Sequence, residues 1–328
     1  MAMYAPELPT TQELHEQYPL EQDAGIEIGL ARERIGGILS GRQEGLVAIV
    51  GPCAMNGQED IIASEGQQLK ALTAGTEGLY VAHRTPVWKP RTNPDDWHGR
   101  ETTEPHEAYA TLARQANEGT GMSIELASRQ HAERYGQTLA IGWIGGRNIG
   151  ATAMMEAVAL HDTGLPLAIK NGLDGDITPA LQAAERLNGL RGRDAAPVVL
   201  LYRGGQNAQT PQDWEARYRE ALDKTDGRMI VDVAHGSEMA HDPAAKFQKS
   251  VQGPADALEH VIRIARDHGT APAGIMMEAS EADSPTDPHL PLAVALEGLK
   301  RLHGLAYRPR PSDPWQRAIN GMLRAGHL

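Results

Sequence analysis

Apolar residues in this chain come in short unbroken runs separated by polar loops. The runs are "LVAIVGPC" (46–53), "LYVAHRT" (79–85), "MSIELAS" (122–128), "LAIGWIGGR" (139–147), "LPLAIKNG" (165–172), "PVVLLYRGG" (197–205), "RMIVDVAHG" (228–236) and "AGIMMEAS" (273–280). A half-exposed strand alternates apolar with polar, whereas a strand apolar on both faces is covered on both, as in parallel sheets flanked by helices. The clearest helical segments lie at 60–74, 106–118, 152–163, 211–223, 254–268 and 290–303, with another at 24–39 before the first run. Eight strand-then-helix units over residues 46–304 predict a (β/α)₈ TIM barrel, an architecture that needs about 250 residues. An open, doubly wound sheet is the alternative, because counting units does not prove closure. The predicted organisation is an N-terminal extension (1–45) serving as an oligomer contact, a catalytic barrel (46–304) and a Pro/Arg-rich tail (305–328).

Charge narrows the partners. The 328-residue chain carries a net charge of −12, which argues against nonspecific binding to nucleic acid or an anionic membrane. No apolar run approaches the roughly 20 residues that span a bilayer. The N-terminus lacks the basic-then-apolar order of a secretion signal. A single cysteine, Cys53, excludes an internal disulfide. The expected setting is the cytoplasm.

Against this acidic background, "YVAHRTPVWKPRTNPDDWHG" (80–99) turns abruptly cationic, with Arg84, Lys89 and Arg91 close together. Pro86, Pro90 and Pro94 keep the segment out of helix and ladder alike. The other strand ends carry chemistry too: Cys53, Glu125, Arg147, Lys170, Arg203, His235 and Glu278. In a barrel enzyme the C-terminal ends of the strands assemble the active site. A single charged residue at a strand end is ordinary, since loops are solvated, but these residues sort into two chemical sets.

Arg84, Lys89, Arg147, Lys170 and Arg203 form a cationic set. Like charges converging on one mouth are costly unless a multiply charged anion occupies it. Arginine offers bidentate contacts and lysine a point charge, and glycines such as Gly146 in "GGR" let the backbone approach a ligand. The set predicts a small phosphorylated, carboxylated substrate. Cys53, His235 and Glu278, with an aspartate, form the second set. Thiolate, imidazole and carboxylate together suit a divalent transition metal better than calcium or magnesium. A buried structural cysteine and a hydrogen-bonded loop histidine are the competing readings.

"GPC", "KPRT" (Lys89 to Thr92) followed by "WHG", "IKNGLDG", "YRGG", "DVAHGS" and "MMEAS" resemble, in this order, the type I 3-deoxy-D-arabino-heptulosonate 7-phosphate (DAHP) synthases. The resemblance runs from about Thr10 to near His303. It implies a (β/α)₈ barrel that opens the shikimate pathway of aromatic amino acid biosynthesis. There a divalent metal (Mn, Fe, Co or Zn) assists condensation of phosphoenolpyruvate with erythrose 4-phosphate, and phosphate is released. By motif position, Arg84, Lys89, Gly146, Arg147, Lys170 and Arg203 would surround phosphoenolpyruvate, while Arg91 and Thr92 would hold the aldose phosphate. Glu125 would lie near the reacting carbons, and Lys89 would donate or relay a proton. Cys53, His235, Glu278 and Asp287 of "SPTD" would bind the metal. A homodimer or homotetramer is expected.

The chain also departs from the family pattern. "GPCAMNG" places Ala54, Met55 and Asn56 beside Cys53, Trp88 precedes "KPRT", residues 185–197 are short where regulated members carry a hairpin, and the tail extends past the barrel. These departures bear on the natural aldehyde and on feedback control. Three alternatives stand beside the main reading: condensation with another aldehyde, a metal-independent Schiff-base aldolase acting through Lys170, and a non-catalytic paralogue that keeps the fold.

Overall fold

In the computed structural model the described residues are 9–52, 59–85, 87, 105–205, 211–236, 252–281 and 290–307. Eight parallel strands close into a barrel in sequence order: β1 (Leu46–Gly51), β2 (Leu79–Arg84), β3 (Met122–Glu125), β4 (Leu139–Ile144), β5 (Leu167–Lys170), β6 (Val198–Tyr202), β7 (Met229–Asp232) and β8 (Gly274–Glu278). Closure is made by β8 pairing with β1, in the register Val47↔Gly274 through Gly51↔Glu278. The closed TIM barrel therefore holds and the open sheet does not.

Helices cover the outside: α3 (Glu59–Gly75), α4 (Pro105–Asn117), α5 (Arg129–Tyr135), α6 (Thr152–His161), α7 (Thr178–Arg191), α8 (Pro211–Thr225), a short turn of helix α9 (Val233–Gly236), α10 (Gln252–His268) and α11 (Leu292–Ala306). Two helices, α1 (Thr11–Gln17) and α2 (Gln22–Leu39), precede the barrel. Thr10 caps α1 reciprocally with Glu13, which is why so short a helix is defined.

The core is two nested shells. The outer one lies between strands and helices, and the inner one fills the barrel with Val47, Ile49, Ala82, Ile141, Trp143, Ala168, Leu201, Ile230 and Met276. Ala31, Ile35, Ile38 and Leu39 of α2 belong to the inner shell. Arg32 fixes where α2 sits: its Nε donates to the carbonyl of Leu139 (2.8 Å), the first residue of β4, and Nη2 to Gly136 (2.6 Å). Nη1 pairs with Asp162 at 2.9 Å. The helix therefore stoppers the N-terminal end of the barrel; the C-terminal ends of the strands lie at the opposite end, its mouth.

Candidate active site

Side chains alternate across a strand, so the inner shell tells which strand-end residues face the barrel axis. Ala82 is an inner residue, hence Arg84; Ala168, hence Lys170; Leu201, hence Arg203; Ile230, hence Asp232; Met276, hence Glu278. Ile124 belongs to the outer shell, which turns Glu125 inward. Five strands thus present a charged side chain to the mouth, and Arg203 does so one residue beyond the end of β6.

These charges are already partly matched. Arg84 pairs with Glu278 at 2.9 Å across β1, both side chains being about 95% buried. Its Nη1 donates to the carbonyl of Pro52, and its guanidinium lies 5.8 Å from the ring centre of Trp143. Lys170 donates from Nζ to Oδ2 of Asp232 at 2.7 Å, across β6. Asp232 is fully buried and Lys170 nearly so. The cationic and carboxylate sets expected from sequence are therefore interleaved, since Glu278, read as a metal ligand, contacts Arg84, read as a substrate ligand. Buried pairs of this kind hold geometry more than they add net stability.

The backbone around the mouth is drawn close. A Cβ at Gly145 would lie 2.1 Å from Oε1 of Glu125, so the half-buried carboxylate rests on bare backbone just after β4. A Cβ at Gly146 would lie 2.3 Å from the carbonyl of Asn171, which packs the turn Gly146–Asn148 against the end of β5. Arg147 sits in that turn, exposed. Asn171 is fully buried; its Oδ1 accepts from the backbone N–H of Arg203 (2.8 Å) and its Nδ2 donates to the carbonyl of Gly204 (2.8 Å). That amide fixes the backbone at Arg203. On the far side, buried Glu65 of α3 accepts from Ser280 Oγ (2.8 Å) and from the Glu281 N–H (2.6 Å), holding the segment after β8.

Asp232, Asn171, Trp143 and Glu65 are site-forming residues that the sequence reading did not single out. Asp232 and Asn171 lie inside quoted motifs and carried a signal. Trp143 and Glu65 read as ordinary strand and helix residues. Cys53, Lys89, Arg91, Thr92 and Asp287 lie outside the described residues. His235 follows β7 within α9, and its side chain is likewise outside what is described. Among the described residues no three His, Cys, Asp or Glu side chains gather as a metal-binding group. No helix among them is long and apolar enough to cross a membrane.

A closed parallel barrel with buried, charged side chains at the C-terminal ends of its strands defines an enzyme class that assembles its chemistry at the barrel mouth. The chain belongs to the DAHP synthetase I family, whose model matches residues 17–295. It is 24% identical over 305 residues to the Tyr-sensitive phospho-2-dehydro-3-deoxyheptonate aldolase of Escherichia coli (strain K12), covering 83% of this chain and 81% of that one. The Trp-sensitive enzyme of the same strain is 25% identical over 302 residues, covering 83% of each chain. A solved phospho-2-dehydro-3-deoxyheptonate aldolase from Francisella tularensis SCHU S4 shares the fold, with a TM-score of 0.74 at 17% identity over 92% of this chain and 97% of that one.

Proposed function

We propose that the chain condenses phosphoenolpyruvate with erythrose 4-phosphate to give DAHP and inorganic phosphate, with a divalent metal. The observation that carries this reading is the ring of inward-facing charged residues, Arg84, Glu125, Lys170, Arg203 and Glu278, at the mouth of a barrel of this family. In the reaction a bond forms between C3 of phosphoenolpyruvate and the aldehyde carbon of the aldose. Water adds at C2, and phosphate leaves with cleavage of its C–O bond.

In this reading Arg84, Lys170 and Arg203, with Lys89 and Arg147, hold the carboxylate and phosphate of phosphoenolpyruvate. Fixed cations in a water-poor site stabilise developing charge without reorganising. Gly146 brings the backbone to the ligand. Arg91 and Thr92 grip the aldose phosphate, Glu125 lies beside the reacting carbons, and Lys89 supplies a proton. Cys53, His235, Glu278 and Asp287 would hold the metal. Support comes from topology: β7, β8 and β1 are adjacent, so the strands that precede His235 and Cys53 in sequence flank the one that ends at Glu278. The buried Glu278 carboxylate is a suitable anionic donor. When bound, such a metal supplies Lewis-acid assistance at the aldehyde oxygen.

The reading includes a cytoplasmic homo-oligomer with residues 1–45 at the contact; Ile26 and Leu30 of α2, 54% and 47% exposed, support that placement. The deciding experiment is phosphate release from phosphoenolpyruvate with a panel of aldose phosphates, with and without chelator. Release with erythrose 4-phosphate, lost on chelation and restored by metal, is expected. Release with a different aldehyde alone would replace the acceptor. No release with any aldehyde would leave a non-catalytic barrel.

A further inference from the structure

We infer that Asp232 is a positioning residue that acts through Lys170, aiming the ammonium group at phosphoenolpyruvate; the inference rests on the proposed phosphoenolpyruvate site. Lys170 ends β5 and Asp232 ends β7, and both face the barrel axis by the parity of Ala168 and Ile230. The contact spans the intervening strand β6, whose Leu201 lies in register with Lys170. A lysine side chain has four rotatable bonds and, left to itself, no fixed direction. Here one N–H is committed to Oδ2 of Asp232 at 2.7 Å, which fixes Nζ and leaves two N–H groups to point elsewhere. Asp232 is fully buried whereas Lys170 keeps 7% exposure, so of the pair Lys170 is the one that solvent reaches. The next strand end is held by a related device: Asn171, the residue after Lys170, accepts at Oδ1 from the backbone N–H of Arg203. Two of the proposed phosphoenolpyruvate-holding cations, Lys170 at the end of β5 and Arg203 after β6, are thus each tied to a buried polar partner, the first through its side chain and the second through its backbone.

A residue acting only through Lys170 should matter only while Lys170 is present. The test is a double-substitution cycle on the full chain, reading the dissociation constant of phosphoenolpyruvate by calorimetry and the KM values of both substrates. Asp232→Asn is expected to weaken phosphoenolpyruvate about tenfold, the scale of one charged hydrogen bond. It should leave the KM of the aldose phosphate within twofold. In a Lys170→Met background the same change should alter phosphoenolpyruvate affinity less than twofold. Asp232→Glu keeps the buried charge pair while moving Nζ; with folding checked by an unchanged circular dichroism spectrum, it should also weaken phosphoenolpyruvate severalfold. Parent-like affinity in both Asp232 variants, equal costs in both backgrounds, or a matching rise in both KM values would overturn the inference while leaving the phosphoenolpyruvate site intact. A parent protein that binds no phosphoenolpyruvate would remove the proposed function, and the inference with it.

Discussion

Acid should destabilise this barrel through a residue one position from the site. His83 lies on β2 with the opposite parity to Arg84, so it points outward into the shell beneath the helices. It is fully buried. Its Nδ1 meets Oε1 of Gln115 on α4 at 2.9 Å; because that oxygen can only accept, Nδ1 carries the proton. Among the described residues Nε2 is then a bare acceptor with no partner, and Gly66 of α3 backs directly onto the ring. Protonating Nε2 would bury a charged N–H with nothing to receive it. Burial accordingly pushes the imidazole down from 6.5 to about 4, although the Gln115 contact acts in the opposite sense. The sign follows from linkage. Above pH 6.5 neither folded nor unfolded chain binds the proton and nothing is lost. Below it the unfolded chain takes up a proton that the folded chain refuses, so stability falls until the folded group itself titrates near 4. The slope approaches about 1.4 kcal/mol per pH unit, and the full loss is about 3 kcal/mol. His83→Asn keeps a donor toward Gln115 and removes the titration. Urea unfolding of parent and variant at pH 7, 6, 5 and 4 should show the parent losing about 3 kcal/mol relative to the variant across that range. Parallel curves would mean that His83 titrates normally in the fold, and the burial argument would be wrong.

Arg84→Ala should weaken phosphoenolpyruvate and also cost about 1.5–3 kcal/mol in denaturant unfolding, because Glu278 loses a charged hydrogen-bond partner. Ile35→Ala, in the stopper helix, should lower stability by about 2–5 kcal/mol through the cavity it opens; an unchanged unfolding midpoint would show that α2 only rests on the barrel. Arg91→Ala should raise the KM of the aldose phosphate far more than that of phosphoenolpyruvate, and should matter little with an unphosphorylated aldehyde; equal losses would make Arg91 structural. Glu215 of α8, held down to about 2 mainly by its hydrogen bonds to Arg263 and Arg219, adds stability above pH 4.5 that is lost as pH falls toward 2. Because Arg263 is largely exposed, Glu215→Gln should cost no more than about 1 kcal/mol at pH 7, with the difference from the parent fading below pH 4.

The strands were legible because covering on both faces makes them continuous apolar runs, and all eight appear where those runs begin or one or two residues inside. Their ends were not. The run 139–147 stops as a strand at Ile144 because Gly145 and Gly146 open a turn, and 228–236 stops at Asp232 because Val233 enters α9. Val233 is buried there for reasons of packing that periodicity cannot separate from strand burial. The helices α1, α5 and α7 were not singled out: two are seven residues long, and Asn188 and Gly189 interrupt the apolar pattern of α7. Residue types at the strand ends were readable one by one, since a barrel gathers whatever stands there. Which charge would pair with which was not, because Arg84–Glu278 and Lys170–Asp232 each bridge strands brought together only by closure and curvature.

Closure itself carries a kinetic consequence. The pairing of β1 with β8 joins the beginning of the barrel to its end, so the last ladder cannot form until Glu278 has been synthesised. Loop-closure entropy grows only logarithmically, about 0.6 kcal/mol per doubling, so the seam is thermodynamically cheap. It is nevertheless late, and parallel pairings of distant segments fold slowly. Until then β1 and the newest strand are both open edges, and open edges of long apolar strands invite pairing with another chain. Ribosome-bound or truncated chains ending before Glu278 should therefore depend on chaperones and aggregate when released, whereas chains extending through α11 should not.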